Sequence, residues 1–174
     1  MEIIHNANEY LQYYLYRASR TKAFKIRKVV YYLISPIMVI FYGIFNFYME
    51  GDYLFLVICS IIGILAFIFL PKYLKSSYER HYKRIIKNNF GQSIGEREII
   101  EIIDDKILTK DSISESRVNI SAIKYLIELK ENYIVSVNDA ASFLLPKNIE
   151  GKTIVETIKQ RNNLDILDDT RWKW

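Results

Sequence analysis

The residues able to do chemistry in this chain are few and scattered. There are two histidines, His5 and His81, and one cysteine, Cys59. No H-E-x-x-H, C-x-x-C or Walker-type loop is present, the spacings that would gather ligands or phosphate-binding amides on one turn. Cys59 stands inside an apolar run with no base beside it, and a thiol in such surroundings stays protonated and is a poor nucleophile. Glu79 and His81 are two residues apart on a helical stretch, so they face different directions. Asp104, Asp105 and Asp111 have the chemistry of cation ligands, but they fall near turns, where solvated carboxylates are ordinary. Ser112, Ser114, Glu115 and Ser116 form a polar loop between strands. No nucleophile or general base has an orienting partner, so the minimum for an active site is not met. The expectation is a non-enzymatic protein with no metal and no cofactor.

The organisation around these residues is dominated by two uncharged apolar runs, Val29–Tyr48 and Tyr53–Leu70, joined by Met49-Glu50-Gly51-Asp52. Twenty helical residues reach about 30 Å, the thickness of a bilayer's hydrocarbon core. Residues 29–70 are therefore expected to form a transmembrane helical hairpin. Neither run contains Asp, Glu, Lys, Arg or His. Ion and proton pathways need such groups, so the hairpin is an anchor and not a transport path. Pro36 interrupts the first run and is expected to kink it. Small residues at matched depth mark the seam between the two helices: Gly43 is level with Cys59 and Ser60, and Ser35 with Ala66.

Charge gives the orientation. Arg17, Arg20, Lys22, Lys25, Arg27 and Lys28 precede the hairpin, and Lys72, Lys75, Arg80, Lys83, Arg84 and Lys87 follow it. These are twelve of the 24 basic residues, and the connecting turn has none. The positive-inside bias places both flanks, and with them both termini, in the cytoplasm and the Met49–Asp52 turn outside. It also makes the twelve side chains candidates for contact with anionic headgroups at the membrane surface. From Gly91 onward acidic residues outnumber basic ones, fifteen to twelve. The net charge of +4 is thus a property of the membrane borders and does not point to nucleic acid. A single cysteine excludes an intrachain disulfide framework.

Residues 1–28 are expected to form an amphipathic basic helix, with Ile4, Ala7, Leu11, Tyr14 and Ala18 on one face. Asn6 or Asn8 would cap it. Two readings stand for this helix: it lies on the bilayer, or it packs on the protein's own soluble domain. Residues 71–91 form a basic exit helix, stopped near Gly91. Residues 92–174 form a small antiparallel β domain with a helix and tail. Its strands are expected at Arg97–Ile103, where the spacing of Ile99, Ile100, Ile102 and Ile103 also fits a helix, and at Lys106–Lys110, Arg117–Ile120, Ile123–Lys130, Tyr133–Val137 and Ser142–Leu145. In the fourth, Ile123, Tyr125, Ile127 and Leu129 share one face. Asp139-Ala140-Ala141 breaks the fifth strand from the sixth. Thr153 and Glu156 suggest a capping box at the start of the last helix. Two readings stand for the tail through Trp172 and Trp174: its tryptophans and cations anchor at the inner membrane surface, or it covers an apolar patch of the sheet, the reading preferred because Asp168-Asp169 opposes lipid docking. The fold class is an α+β membrane protein, with the helix closing one end of a curled sheet.

Several motifs in order resemble one family. They are the tyrosine-rich stretch Glu9–Tyr16, Pro36 in the first span, and Tyr82-Lys83-Arg84. The soluble block follows: Glu101-Ile102-Ile103-Asp104-Asp105-Lys106-Ile107, Ser114-Glu115-Ser116, Ser121-Ala122-Ile123-Lys124 and Leu144-Leu145-Pro146-Lys147. The chain resembles the YcxB-like proteins, small bacterial membrane proteins. Ile120 stands where that pattern usually has tryptophan, and the tail after Asn162 lies outside it. The resemblance implies two spans and a cytoplasmic, pleckstrin-homology-like sheet domain, and it brings no catalytic residues. The expected function is a membrane-anchored interaction or regulatory module whose β domain binds a protein or lipid partner. The alternative is an immunity protein that protects its cell from a cognate toxin. Expected partners are the bilayer and its anionic headgroups, a protein or toxin, and a second copy of the chain.

Overall fold

The computed structural model describes residues 1–91, 94–111, 115–137 and 142–174. The chain is α+β, with two long apolar helices and two four-stranded sheets. It divides into two compact units. One comprises Met1–Tyr14 and Lys83–Lys173, the other Leu15–Tyr82 together with Trp174.

The sheet unit starts at the first residues. Glu2–Ile4 is a strand, β1, and residues 1–28 are not the single helix their periodicity suggests. β1 pairs antiparallel with β2, Arg97–Ile103, in the register Glu2↔Ile99. The Met1 ammonium donates to the Ile100 carbonyl at 3.0 Å. Helix α1, Ala7–Arg20, then begins behind Asn6, whose Oδ1 accepts from the amides of Asn8 and Glu9 at 2.9 and 3.0 Å. Glu9 answers through Asn6, so Asn6 and Glu9 make a reciprocal cap. Tyr10 stacks on Phe90 and Tyr14 meets it tilted, with centroids 4.8 and 6.4 Å away. The start of α1 therefore packs on protein within this unit.

β2 turns into β3, Lys106–Lys110, through Asp104 and Asp105, both at positive φ. Two adjacent left-handed residues make the tight hairpin turn whose twist suits antiparallel strands, and Asp tolerates that conformation. β4, Glu115–Asn119, completes the order β1-β2-β3-β4. A 3₁₀ turn, Ile120–Ala122, leads to the second sheet. There β5, Tyr125–Glu128, pairs with β6, Asn132–Ser136, which pairs with β7, Ser142–Pro146. Residues 92–93, 112–114 and 138–141 lie outside the described residues. They include Ser112 and Ser114 of the expected polar loop and the expected break at Asp139-Ala140-Ala141. Glu115 and Ser116, read as part of that loop, open β4 instead.

The facing of β5 is the reverse of its alternation. Leu126 is buried opposite Val135, while Tyr125 is 57% exposed. Ile123 and Leu129 are buried, but they lie outside the strand at its two ends, where the backbone turns. Register decides the face of every side chain in a strand, and the pairing with fully buried β6 sets it here.

Helix α5, Ile149–Asn162, starts four residues before the expected capping box. Asn148 is its cap, accepting from the Gly151 amide at 2.7 Å. Thr153 lies inside the helix and donates to the Ile149 carbonyl instead. The buried face of α5 is Gly151, Ile154, Val155 and Ile158, a helical stripe. Gly151 has no room for a side chain, since a Cβ there would strike the Pro146 carbonyl. Val155 and Ile158 join Ile100, Ile107, Ile120, Leu126, Val135 and Leu145 in one core. Each such side chain contributes about 1.5–3 kcal/mol through burial. At the far end Asn162 donates to the carbonyls of Ile120 and Ile123, at 2.5 and 3.3 Å. The tail then adds β8, Ile166–Asp168, parallel to β5.

The second unit is helical. α1 ends at Thr21, whose Oγ1 accepts from the Phe24 amide and donates to the Ala18 carbonyl. This breaks the expected continuous helix and starts α2, Lys22–Val29. A π-helical turn, Val30–Ile34, follows and runs directly into α3, Ser35–Glu50. Pro36 lacks an N–H and crowds the preceding turn, and widening that turn relieves the crowding. Gly51, at φ 72°, caps α3 in the left-handed region, and Asp52 caps the next helix by accepting from the Phe55 amide at 3.0 Å. That helix, α4, is continuous from Tyr53 to Phe90, so Pro71 does not separate span from exit helix. Two helical stretches, Lys22–Glu50 and Tyr53–Phe90, are long and apolar enough to cross a membrane.

Candidate functional site

The two helices of the hairpin meet through small residues. A Cβ on Gly43 would stand 2.6 Å from the Cys59 Cβ, so backbone and side chain are already in contact there. A Cβ on Gly63 would strike Ile40 and lie 3.2 Å from the Pro36 carbonyl oxygen. Gly43, Cys59, Pro36 and Gly63 are all buried. Ser35, Ser60 and Ala66 are half-buried, and the Ser60 hydroxyl donates to Leu56 of its own helix at 2.8 Å. The sequence pairing of Gly43 with Cys59 thus has a counterpart in contact. The Gly63–Ile40–Pro36 approach was missed, although glycine opposite a proline-bearing turn was its signal. Outside this seam the apolar side chains are bare: Ile37, Met38, Phe41, Ile61, Ile64 and Phe67 are each more than half exposed.

All twelve basic residues flanking the hairpin are exposed. Arg20 lies over the Tyr16 ring at 5.1 Å, and Lys28 over Tyr32 at 5.5 Å. Both pairs place a cation on an aromatic face. Arg27 donates to the Tyr78 hydroxyl at 3.4 Å, and Lys75 pairs with Glu79 at 3.8 Å. Arg80 donates to the Ser76 carbonyl. Arg17, Lys22, Lys25 and Lys72 are carried on the same helices, while Lys83, Arg84 and Lys87 belong to the last turns of α4 in the sheet unit. Trp174 packs with Phe24 and Tyr78 of the helical unit, at 4.6 and 5.3 Å. Ile166–Asp168 of the tail joins the sheet, and the Asp169 amide donates to the Glu128 carbonyl of its neighbour strand at 2.9 Å.

In the sheet unit the densest cluster of titratable groups surrounds His5. The ring is 6% exposed. Its Nδ1 is 2.9 Å from Glu9 and its Nε2 is 3.3 Å from Glu98. Burial pulls the imidazole pKa down, but the hydrogen bonds and charges of Glu98 and Glu9 outweigh that and raise it above its usual value. The Tyr10 ring meets His5 edge-on at 5.5 Å. Burial, then Glu98 and Glu9, push its phenol up to about 12. This cluster was invisible in the sequence because Glu98 lies beyond the hairpin. Asp105 pairs with Arg161 of α5, and with Asp104 it forms the hairpin turn. Among the described residues no group of three His, Cys, Asp or Glu side chains is disposed to hold a metal ion.

Among the described residues the two sheets leave four edge strands. β1 and β8 have three residues each. β7 ends in Pro146, which has no N–H to offer a neighbour. β4 has five residues and no proline, and Glu115, Ser116, Arg117 and Asn119 are exposed. Arg117 donates to Glu115 of the same strand at 3.0 and 2.7 Å. Among the described residues β4 pairs with β3 alone.

Residues 104–155 match the family of YcxB-like proteins. The YcxB-like segment opens at the Asp104-Asp105 turn, contains β3 to β7, and ends within α5. It is less than a third of the chain, and the resemblance seen in the sequence holds over these residues. Ile120, where tryptophan is usual in the YcxB-like pattern, is 2% exposed in the core. The position is thus an apolar one, and the β4 edge lies inside the YcxB-like segment. No curated protein and no solved structure matches the chain.

Proposed function

We propose that this protein is a membrane-anchored interaction module. The hairpin Val29–Leu70 spans the inner membrane twice. Both termini and the sheet unit are cytoplasmic, and an extended segment of a protein partner adds to the β4 edge. Two sheets, antiparallel from β1 to β4 and from β5 to β7, followed by helix α5, support a pleckstrin-homology-like description of the sheet unit. The bare apolar side chains of α3 and α4 support membrane placement, since an exposed apolar surface of that size needs an apolar solvent. The twelve-to-zero basic bias supports the orientation. The observation that carries partner binding is β4 itself, a five-residue edge without proline. Main-chain hydrogen bonds to such an edge supply affinity, and alternate side-chain pockets supply selectivity.

The test is in-cell photo-cross-linking of the full-length protein, with the reactive side chain placed at Ser116 on β4 or at exposed Lys152 on α5. A discrete adduct from Ser116 alone is expected. Adducts of equal yield from both positions, or none from Ser116, would remove the β4 reading.

A further inference from the structure

A cleft of about 370 Å³ opens in the helical unit between the α1–α2 corner and the middle of α4. It is lined by Thr21, Arg27, Ser77, Tyr78, His81 and Tyr82. The lining contains no carboxylate, and the nearest acidic side chain along α4, Glu79, is paired with Lys75. Arg27 is the one guanidinium in the wall, and it is held at the cleft by its contact with the Tyr78 hydroxyl. A guanidinium has five N–H donors in a planar fork, so this single contact leaves donors for a tetrahedral oxyanion. Ser77 contributes a hydroxyl to the same wall, and His81 a ring nitrogen. Thr21 is committed to capping α2 and shapes the corner.

Position decides which oxyanion. Arg27 is two residues outside the apolar run that begins at Val29. Beside the cleft, Phe24, Tyr78 and Trp174 form an aromatic group, the rings that favour a headgroup zone. A free phosphate gains nothing from such a neighbour, whereas a lipid phosphate brings a glycerol and acyl chains that do.

We propose that this cleft seats the phosphate of one anionic phospholipid, with Arg27 as its main ligand and Tyr78 as the residue that aims it. This rests on the membrane placement of the hairpin and is independent of any partner at β4. It makes one lipid a bound ligand, distinct from the diffuse attraction of the twelve flanking charges.

Trp174 reports on the cleft because its ring lies against Tyr78. Full-length protein carrying Trp172→Phe, in neutral detergent micelles, is titrated with phosphatidylglycerol while Trp174 fluorescence is followed. A saturable change is expected with phosphatidylglycerol and not with phosphatidylcholine or inorganic phosphate. Arg27→Gln is expected to weaken binding about tenfold or more, the scale of one lost charge-assisted contact. Tyr78→Phe keeps the ring and its packing, and is expected to weaken binding severalfold even if Arg27→Gln disturbs the fold. Lys72→Gln, at the same border outside the cleft, should leave affinity within about twofold. Equal losses in Lys72→Gln and Arg27→Gln would mean surface electrostatics alone and overturn the proposal. Inorganic phosphate binding as tightly as the lipid would overturn the lipid assignment, and an unsaturable response would overturn the site.

Discussion

The Nε2 of His5 lies 3.3 Å from the Glu98 carboxylate, and these two residues stand on opposite sides of the apolar hairpin in sequence. The hairpin is therefore an insertion between two neighbouring strands, β1 and β2. A residue ahead of the first span and one beyond the second are held in a single sheet, with Glu9 completing the clasp on His5.

This clasp makes a pH dependence. The folded pKa of His5 is raised above 6.5, so the folded state binds the proton more tightly than the unfolded chain. The stabilisation is complete below pH 6.5 and is lost as pH rises through the folded pKa. Tyr10, pushed up to about 12, stays neutral throughout that range. NMR titration of His5 is expected to give a midpoint above 6.5, and Glu98→Gln is expected to lower it. A midpoint unmoved by Glu98→Gln would remove Glu98 as a cause.

The seam of the hairpin has no slack at Gly43. Gly43→Ala puts a methyl 2.6 Å from the Cys59 Cβ and is expected to cost about 1–3 kcal/mol, the range of core overpacking. Removing the opposing side chain with Cys59→Gly in the same protein should restore most of that loss. Thermal unfolding in micelles reads both. Full additivity of the two substitutions would mean that the residues do not meet.

Helix α5 offers a cleaner comparison. Asn148→Ala removes the cap on the Gly151 amide and is expected to cost about 1 kcal/mol. Thr153→Ala, at the position the sequence pattern favours, should change stability by no more than about 0.5 kcal/mol, as expected for an exposed helical site. A larger loss at Thr153 than at Asn148 would place the start of the helix five residues later.

The contrast between these positions shows what could be read in advance. β2 and β3 match their expected bounds because an isoleucine-rich run, an Asp-Asp turn and a short returning run follow one another, and all of that information is local. The hairpin is equally local, being a matter of length, apolarity and two capping residues, Gly51 and Asp52. β1 was lost because Ile4 also fits the helical stripe with Ala7 and Leu11, and its true partner is Ile99-region backbone far along the chain. The facing of β5 is not legible from the shared face of Ile123, Tyr125, Ile127 and Leu129, because Leu126 between them is apolar too and only pairing with Val135 shows which face is inward. The Asn148 cap is not legible beside Thr153-x-x-Glu156, which fits the local pattern five residues on, because the true start depends on Gly151 meeting Pro146. At the candidate sites, Arg27 was legible as a basic flank. Its contact with Tyr78 depends on how α2 meets α4 and was not.

The central claim is a two-span anchor with its sheet unit inside the cell, and thiol labelling in intact cells tests it most directly. In a Cys59→Ala background, single cysteines are placed by Met49→Cys near the turn and by Lys152→Cys on α5, both exposed positions. A membrane-impermeant maleimide is expected to label position 49 in intact cells and position 152 only after permeabilisation. Labelling of position 152 from outside, with position 49 protected, would contradict the account.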